Sequence, residues 1–76
     1  MSIKLQQLAK GKTAKILSVR AKGEMNRRIR DMGLIPGSSV KVVGRAPLFD
    51  PIAVRLSGVT ISLRSSEASY VDVEEI

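Results

Sequence analysis

The chain has 76 residues, of which 43% are hydrophobic, with 13 basic and seven acidic side chains and a net charge of +6. Because it contains neither cysteine nor histidine, it cannot form disulfides, a structural zinc site of the Cys/His type or a nucleophile pair with histidine, and we expect a non-enzymatic protein. The length predicts a single domain over residues 1–76, and the lack of a membrane-spanning apolar run or a secretory signal predicts a cytoplasmic protein.

The first half of the chain predicts one strand and one helix. A short opening segment ends at Gly11, and the residues of Lys12–Arg20 predict the first strand. Its imperfect alternation indicates either two partly covered faces or a bulge near Ser18. From Glu24 to Met32 the apolar residues recur with helical spacing, which predicts an amphipathic helix with the stripe Met25, Ile29 and Met32.

Local signals mark both ends of this helix. Glu24 lies in the first turn, where a carboxylate suits the helix dipole, and it is expected to pair with Arg28 four residues later. Gly33 follows the apolar stripe, where a left-handed C-cap is expected. Pro36-Gly37 then predicts a turn that leads into the next strand.

The second half of the chain predicts further short strands. Val40 and Val42 mark the second strand, and a loop with two prolines covers Arg45–Pro51. A tight Ser57-Gly58 turn joins the third and fourth strands. The apolar positions of these two strands alternate with polar ones, and they are Ile52, Val54, Leu56, Val59, Ile61 and Leu63.

The end of the chain predicts a helical turn and a final strand. Ser65 and Ser66 are expected to cap the turn, with Glu67 near its start, and Val71 and Val73 mark the strand. The predicted fold is therefore mainly β: a small SH3-like barrel of five strands, with one short α-helix between the first two strands and a helical turn before the last. An OB-type barrel is the alternative.

Charge is distributed unevenly along the chain. Residues 1–30 contain nine basic residues and one acidic residue, whereas residues 65–76 contain four acidic residues and no basic one. A basic segment of this kind indicates a nucleic acid, an anionic membrane surface or an acidic protein partner, or is an ordinary solvated surface. Phe49 and Tyr70 are the only aromatic residues, too few for a base-stacking platform. Nucleic-acid binding through phosphate contacts stays open as the alternative function.

Three motifs, in order along residues 8–76, resemble the ferrous iron transport protein A (FeoA) family. They are Met32–Val40 (MGLIPGSSV), Ala46–Ile52 (APLFDPI), and the closing set formed by Leu63-Arg64, Glu67-Ala68 and Val71–Val73. Phe49 stands where the family commonly has glycine. The resemblance implies an SH3-like barrel of the bacterial cytosol that works with the membrane ferrous-iron transporter FeoB and its cytosolic GTPase domain.

No cofactor, metal site or small-molecule substrate is expected. The resemblance does not imply that this chain binds iron, and the family's association with transition metal ions has no imidazole or thiolate ligand to support it here. A carboxylate-only site formed by Asp72, Glu74 and Glu75 is a minor alternative to an exposed acidic tail. Weak self-association through an uncovered barrel edge also stays open.

Two groups of residues are candidates for contact with the transporter. The first is the loop of Leu48, Phe49 and Asp50, where Phe49 either anchors a partner or folds back over the end of the barrel. The second is the helix face with Arg27 and Arg30, which either docks on an acidic surface or is simply solvated. An arginine that assists GTP hydrolysis by the partner is a further hypothesis.

Overall fold

A computed structural model describes residues 2–45 and 51–76. The elements in chain order are β1 (Ile3–Lys4), a 3-10 helix (Leu5–Gln7), β2 (Thr13–Val19), α1 (Gly23–Asp31), β3 (Ser39–Arg45), β4 (Ile52–Leu56), β5 (Val59–Leu63), α2 (Ser65–Ala68) and β6 (Val71–Glu75). The mainly β fold, the helix between the first long strands and the helical turn before the last strand are as predicted.

All strands belong to one antiparallel sheet with the order β1-β6-β2-β3-β4-β5. The prediction of five strands was one too low for the described residues, because β1 adds a sixth strand. Ile3 pairs with Val73 and Lys4 with Asp72. Two residues are too few to show an alternating pattern, so only the pairing with β6 reveals this strand.

The core lies on the inner face of the sheet, beneath α1 and the 3-10 helix. Its fully buried members come from nearly every element, and the largest are Leu5, Leu8, Ile16, Ile29, Leu34, Ile52 and Leu63. The alternating positions of β4 and β6 are buried as predicted. Val59 of β5 is the exception, since its side chain is 60% exposed beside the Ser57-Gly58 turn.

Of the two alternatives left open for the first predicted strand, the structure shows the bulge near Ser18. The pairing of β2 with β6 shifts between Ile16 and Ser18, so that Leu17 has no partner on β6. An extra residue in one strand bends that strand and increases its twist. The bulge therefore helps the sheet to curl into a barrel, and it leaves the Leu17 side chain exposed.

Helix α1 follows the predicted apolar stripe. Ile29 is completely buried, and Met25 and Met32 pack against the core at its margin. Gly33 has a φ of +97°, which confirms the left-handed conformation expected just after the helix. The opposite side of α1 is left for charged residues.

Candidate partner-binding surface

The exposed side of α1 carries three arginines, Arg27, Arg28 and Arg30, which we call the arginine face. All three side chains are exposed, because the apolar stripe takes up the positions that face the core. The other predicted contact residues, Leu48, Phe49 and Asp50, lie outside the described residues.

Arg27 pairs with Glu24 along the helix. Its Nη1 atom lies 3.7 Å from Glu24 Oε1, and both side chains are well exposed. The predicted pair between Glu24 and Arg28 was wrong, because Arg28 has a partner on another element. An exposed pair of this kind contributes little to stability, and Arg27 can exchange partners easily.

Arg28 links α1 to α2. Its Nη2 atom lies 3.1 Å from Glu67 Oε2, and the exposed fractions of the two side chains are 65% and 6%. A buried carboxylate needs a cation and hydrogen bonds to compensate for its lost hydration. Arg28 supplies this positive charge from the surface. Its ion pair with the buried Glu67 therefore helps to fix the position of the arginine face relative to the barrel.

The second oxygen of Glu67 holds the start of α2. Oε1 accepts a hydrogen bond from the backbone N–H of Arg64 at 2.8 Å, as in one half of a capping box. Arg64 is the N-cap residue, so the prediction that Ser65 and Ser66 cap this turn was wrong. The three-residue spacing of Arg64 and Glu67 is a sequence signal that could have predicted this hydrogen bond. No local pattern points to the ion pair of Glu67 with Arg28.

Arg30 differs from its two neighbours on α1. Within residues 2–45 and 51–76, no carboxylate forms an ion pair with its side chain. Arg30 also lies in the last turn of the helix, where a positive charge is favourable. Of the three side chains of the arginine face, Arg30 is the one that breaks no ion pair within the described residues when it binds an anionic group.

The acidic residues of β6 are engaged separately. Asp72 Oδ2 accepts a hydrogen bond from Ser18 Oγ at 3.0 Å and lies 2.8 Å from Arg20 Nε. Glu75 lies 3.7 Å from Lys12 Nζ. In the part of the chain that the structure describes, no three acidic side chains converge as metal ligands would. The alternative of a site from Asp72, Glu74 and Glu75 thus gains no support.

The residues that the structure describes form no pocket suited to a small molecule. Nor is any helix among them both long and apolar enough to cross a bilayer.

Comparison with known proteins decides the family. A model of the FeoA domain matches residues 3–75. The chain belongs to the FeoA family. It is 36% identical over 74 residues to the Fe(2+) transport protein A/Fe(2+) transporter FeoB fusion protein of Porphyromonas gingivalis, a match that covers 97% of this chain and 9% of the fusion protein. This chain thus spans about a tenth of the length of that curated relative.

Solved structures of the family agree with this fold. The FeoA-like protein of Clostridium acetobutylicum is 36% identical, with a TM-score of 0.92 over 99% of this chain and 87% of that one. The zinc complex of FeoA from Stenotrophomonas maltophilia is 30% identical, with a TM-score of 0.83 over 95% of this chain and 89% of that one. That protein is described as a prokaryotic SH3 domain protein and a candidate activating factor of ferrous iron transport. The SH3-like fold is thereby confirmed, and the family is linked to ferrous iron transport.

Proposed function

We propose that this chain is a non-enzymatic accessory protein of bacterial ferrous iron uptake, which acts as a single cytoplasmic domain by contact with the cytosolic GTPase part of FeoB. The observation that carries the proposal is the P. gingivalis relative, in which a domain similar to this chain and FeoB share one polypeptide. Joining two domains gives them a high local concentration. A FeoA domain on a separate chain needs a docking surface to reach the same partner.

The arginine face is the first docking surface that we propose. Arg30 has no ion pair to break among the described residues, and the exposed Arg27–Glu24 pair is weak. Guanidinium groups bind carboxylates through two parallel hydrogen bonds, which fixes orientation as well as charge. Arg28 acts differently, since its bond to Glu67 holds α1 in place. An acidic patch on the GTPase domain is the partner that fits.

The loop of Leu48, Phe49 and Asp50 is the second proposed contact. These residues lie outside the described part of the chain, and their sequence supports the proposal. An aromatic side chain between two prolines, Pro47 and Pro51, is a typical anchor, because little conformational freedom is lost when it binds. Together, loop and helix would supply an apolar anchor and a charged rim.

An NMR titration tests the proposal directly. The ¹⁵N-labelled chain is titrated with the purified, nucleotide-bound GTPase domain of FeoB at near-physiological salt. Localised shifts along Met25–Met32 or at Leu48–Pro51 are expected. If a folded, nucleotide-bound GTPase domain causes no shifts, the proposed contact with this part of FeoB is wrong.

Two matched variants distinguish binding through the arginine face from a general effect of positive charge. Arg30→Ala is expected to weaken binding by about five- to thirtyfold, as for a contact that contributes ~1–2 kcal/mol. Arg55→Ala removes the same charge from β4, on another face, and is expected to leave binding within about twofold. Equal losses in both variants would contradict a specific role of α1. The arginine-assistance hypothesis is tested by the GTP hydrolysis rate of the partner with four single alanine variants, at Arg27, Arg28, Arg30 and Arg45, and it is wrong if all four leave that rate unchanged.

A further inference from the structure

A row of hydrogen-bond donors crosses the outer face of four strands. Thr13 of β2 pairs with Lys41 of β3, Lys41 with Arg55 of β4, and Arg55 with Thr60 of β5. Lys41 and Arg55 each lie between two buried neighbours on their own strand, so their side chains point to solvent. We call these four residues the cationic row.

The two charges at the centre of this row repel each other. Residues directly opposite each other on antiparallel strands have Cβ atoms about 4.5–5.5 Å apart, and like charges at such positions are destabilising. No carboxylate of the described residues pairs with Lys41 or Arg55. The sequence has no acidic residue within 32–49 or 51–66. Since no carboxylate of the described residues offsets this repulsion, an anion from outside the chain that contacts both side chains is favoured here.

We infer that the cationic row binds the anionic headgroups of a lipid bilayer. The inference rests on the proposed function in one respect, since docking on a membrane transporter brings the chain close to the bilayer. An acidic protein partner is less suitable, because interface centres need large apolar anchors and the row has none. The exposed large apolar side chains of the described residues are Leu17, Ile35, Val59, Tyr70 and Ile76, none of which belongs to the row. Cationic side chains and hydroxyl donors are sufficient to bind lipid phosphates.

The expected affinity for the bilayer is low, but its binding free energy adds to that of docking on the transporter. Each Lys or Arg near an anionic leaflet strengthens binding by about fivefold. Two central cations thus contribute about twentyfold to thirtyfold, too little for stable anchoring alone. In combination with a protein contact, the lipid contact orients the barrel, with the outer face of β3 and β4 toward the lipid.

Vesicle sedimentation of the isolated chain tests this inference without the transporter. The probes are vesicles of phosphatidylcholine alone and vesicles that also contain phosphatidylglycerol. We expect binding only to the second kind, and a loss of about twentyfold in K41Q/R55Q. The matched control K4Q/K22Q removes two exposed charges elsewhere and is expected to lose about fivefold or less. NMR spectra of both variants check that they are folded.

Spin-labelled lipid in the same vesicles supplies a second measurement. Line broadening that is strongest at the amides of Lys41 and Arg55 supports the inference. Broadening that is strongest in α1, equal losses in the two double variants, or no binding of the native chain to anionic vesicles would each overturn it. If K41Q/R55Q weakens binding to the GTPase domain and leaves vesicle binding unchanged, the row is a protein contact and the lipid assignment is wrong. Loss of binding to the GTPase domain in R30A bears on the proposed function alone.

Discussion

Gly33 lies so close to Leu56 that a Cβ atom on the glycine would be 2.7 Å from Leu56 Cδ2. Gly33 follows α1 and Leu56 ends β4, so this contact sets how closely the end of the helix approaches the sheet. The same glycine has a φ of +97°, a conformation that side chains with a Cβ rarely adopt. Two separate physical constraints therefore favour glycine at this position.

Comparison of Gly33→Ala with Gly37→Ala separates these constraints. Gly37 has a φ of +96°, but a Cβ there would meet nothing within 4 Å. We expect Gly37→Ala to lower the free energy of unfolding by ~1–2 kcal/mol through backbone strain alone. Gly33→Ala should lose about 1 kcal/mol more through overpacking against Leu56. Urea denaturation measures both, and equal losses would mean that Leu56 moves aside freely.

Removal of either partner of the Arg28–Glu67 pair should have unequal effects. Arg28→Ala leaves a buried carboxylate without its cation, and we expect a loss of ~2 kcal/mol in unfolding free energy. Glu67→Gln keeps an oxygen for the Arg64 N–H and leaves an arginine that is already exposed, so a loss of ~1 kcal/mol is expected. Thermal and urea denaturation give both values. Arg27→Ala is the surface control, with an expected change below ~0.5 kcal/mol. A larger loss in Glu67→Gln than in Arg28→Ala would contradict this account.

The hairpin between β4 and β5 offers a stabilising substitution. Ser57 and Gly58 have φ values of 52° and 80°, as in a type I′ turn, which favours asparagine followed by glycine. Ser57→Asn is expected to raise the free energy of unfolding by ~0.5 kcal/mol, because asparagine tolerates the left-handed region better than serine. Ser57→Val, a β-branched residue, should lower it. A destabilised Ser57→Asn variant would show that Ser57 makes a contact whose stabilisation exceeds the gain from the backbone preference of asparagine.

The loop prediction is tested by Phe49→Ala. If Phe49 is a partner anchor, the substitution should weaken binding to the GTPase domain by at least about tenfold, as for an interface hot spot, with an unchanged melting temperature. If Phe49 instead covers the end of the barrel, the melting temperature falls and the affinity stays the same. Calorimetry and the NMR titration distinguish these outcomes. Leu48→Ala in the same assays shows whether the apolar contact extends along the loop.

Elements with a repeating apolar pattern could be predicted from the sequence. The stripe of α1, the alternation in β4 and β6, and the left-handed Gly33 all depend on neighbours within a few positions. Such neighbours leave a pattern that can be read directly. The resemblance to the FeoA family then implied the SH3-like barrel.

The parts that could not be predicted depend on contacts between distant residues. Strand β1 exists only because β6 lies beside it, and two residues carry no period of their own. Arg28 was assigned to Glu24 because helix rules consider only residues along the helix. Its actual partner, Glu67, reaches it through the packing of α2 on the barrel. The cationic row likewise requires the pairing of four strands, since Lys41 and Arg55 are unremarkable in their own segments.

The position of β6 in the sheet also has a consequence for synthesis. Residues 71–75 lie between β1 and β2, which come from the first twenty residues of the chain. Pairing that spans nearly the whole chain slows folding, because a long loop must close before the contacts form. On the ribosome, β2 can pair with β3 early in synthesis. It can pair with β6 only after residue 75 leaves the exit tunnel. The barrel thus completes its folding only after translation of the domain, when β6 pairs with β1 and β2.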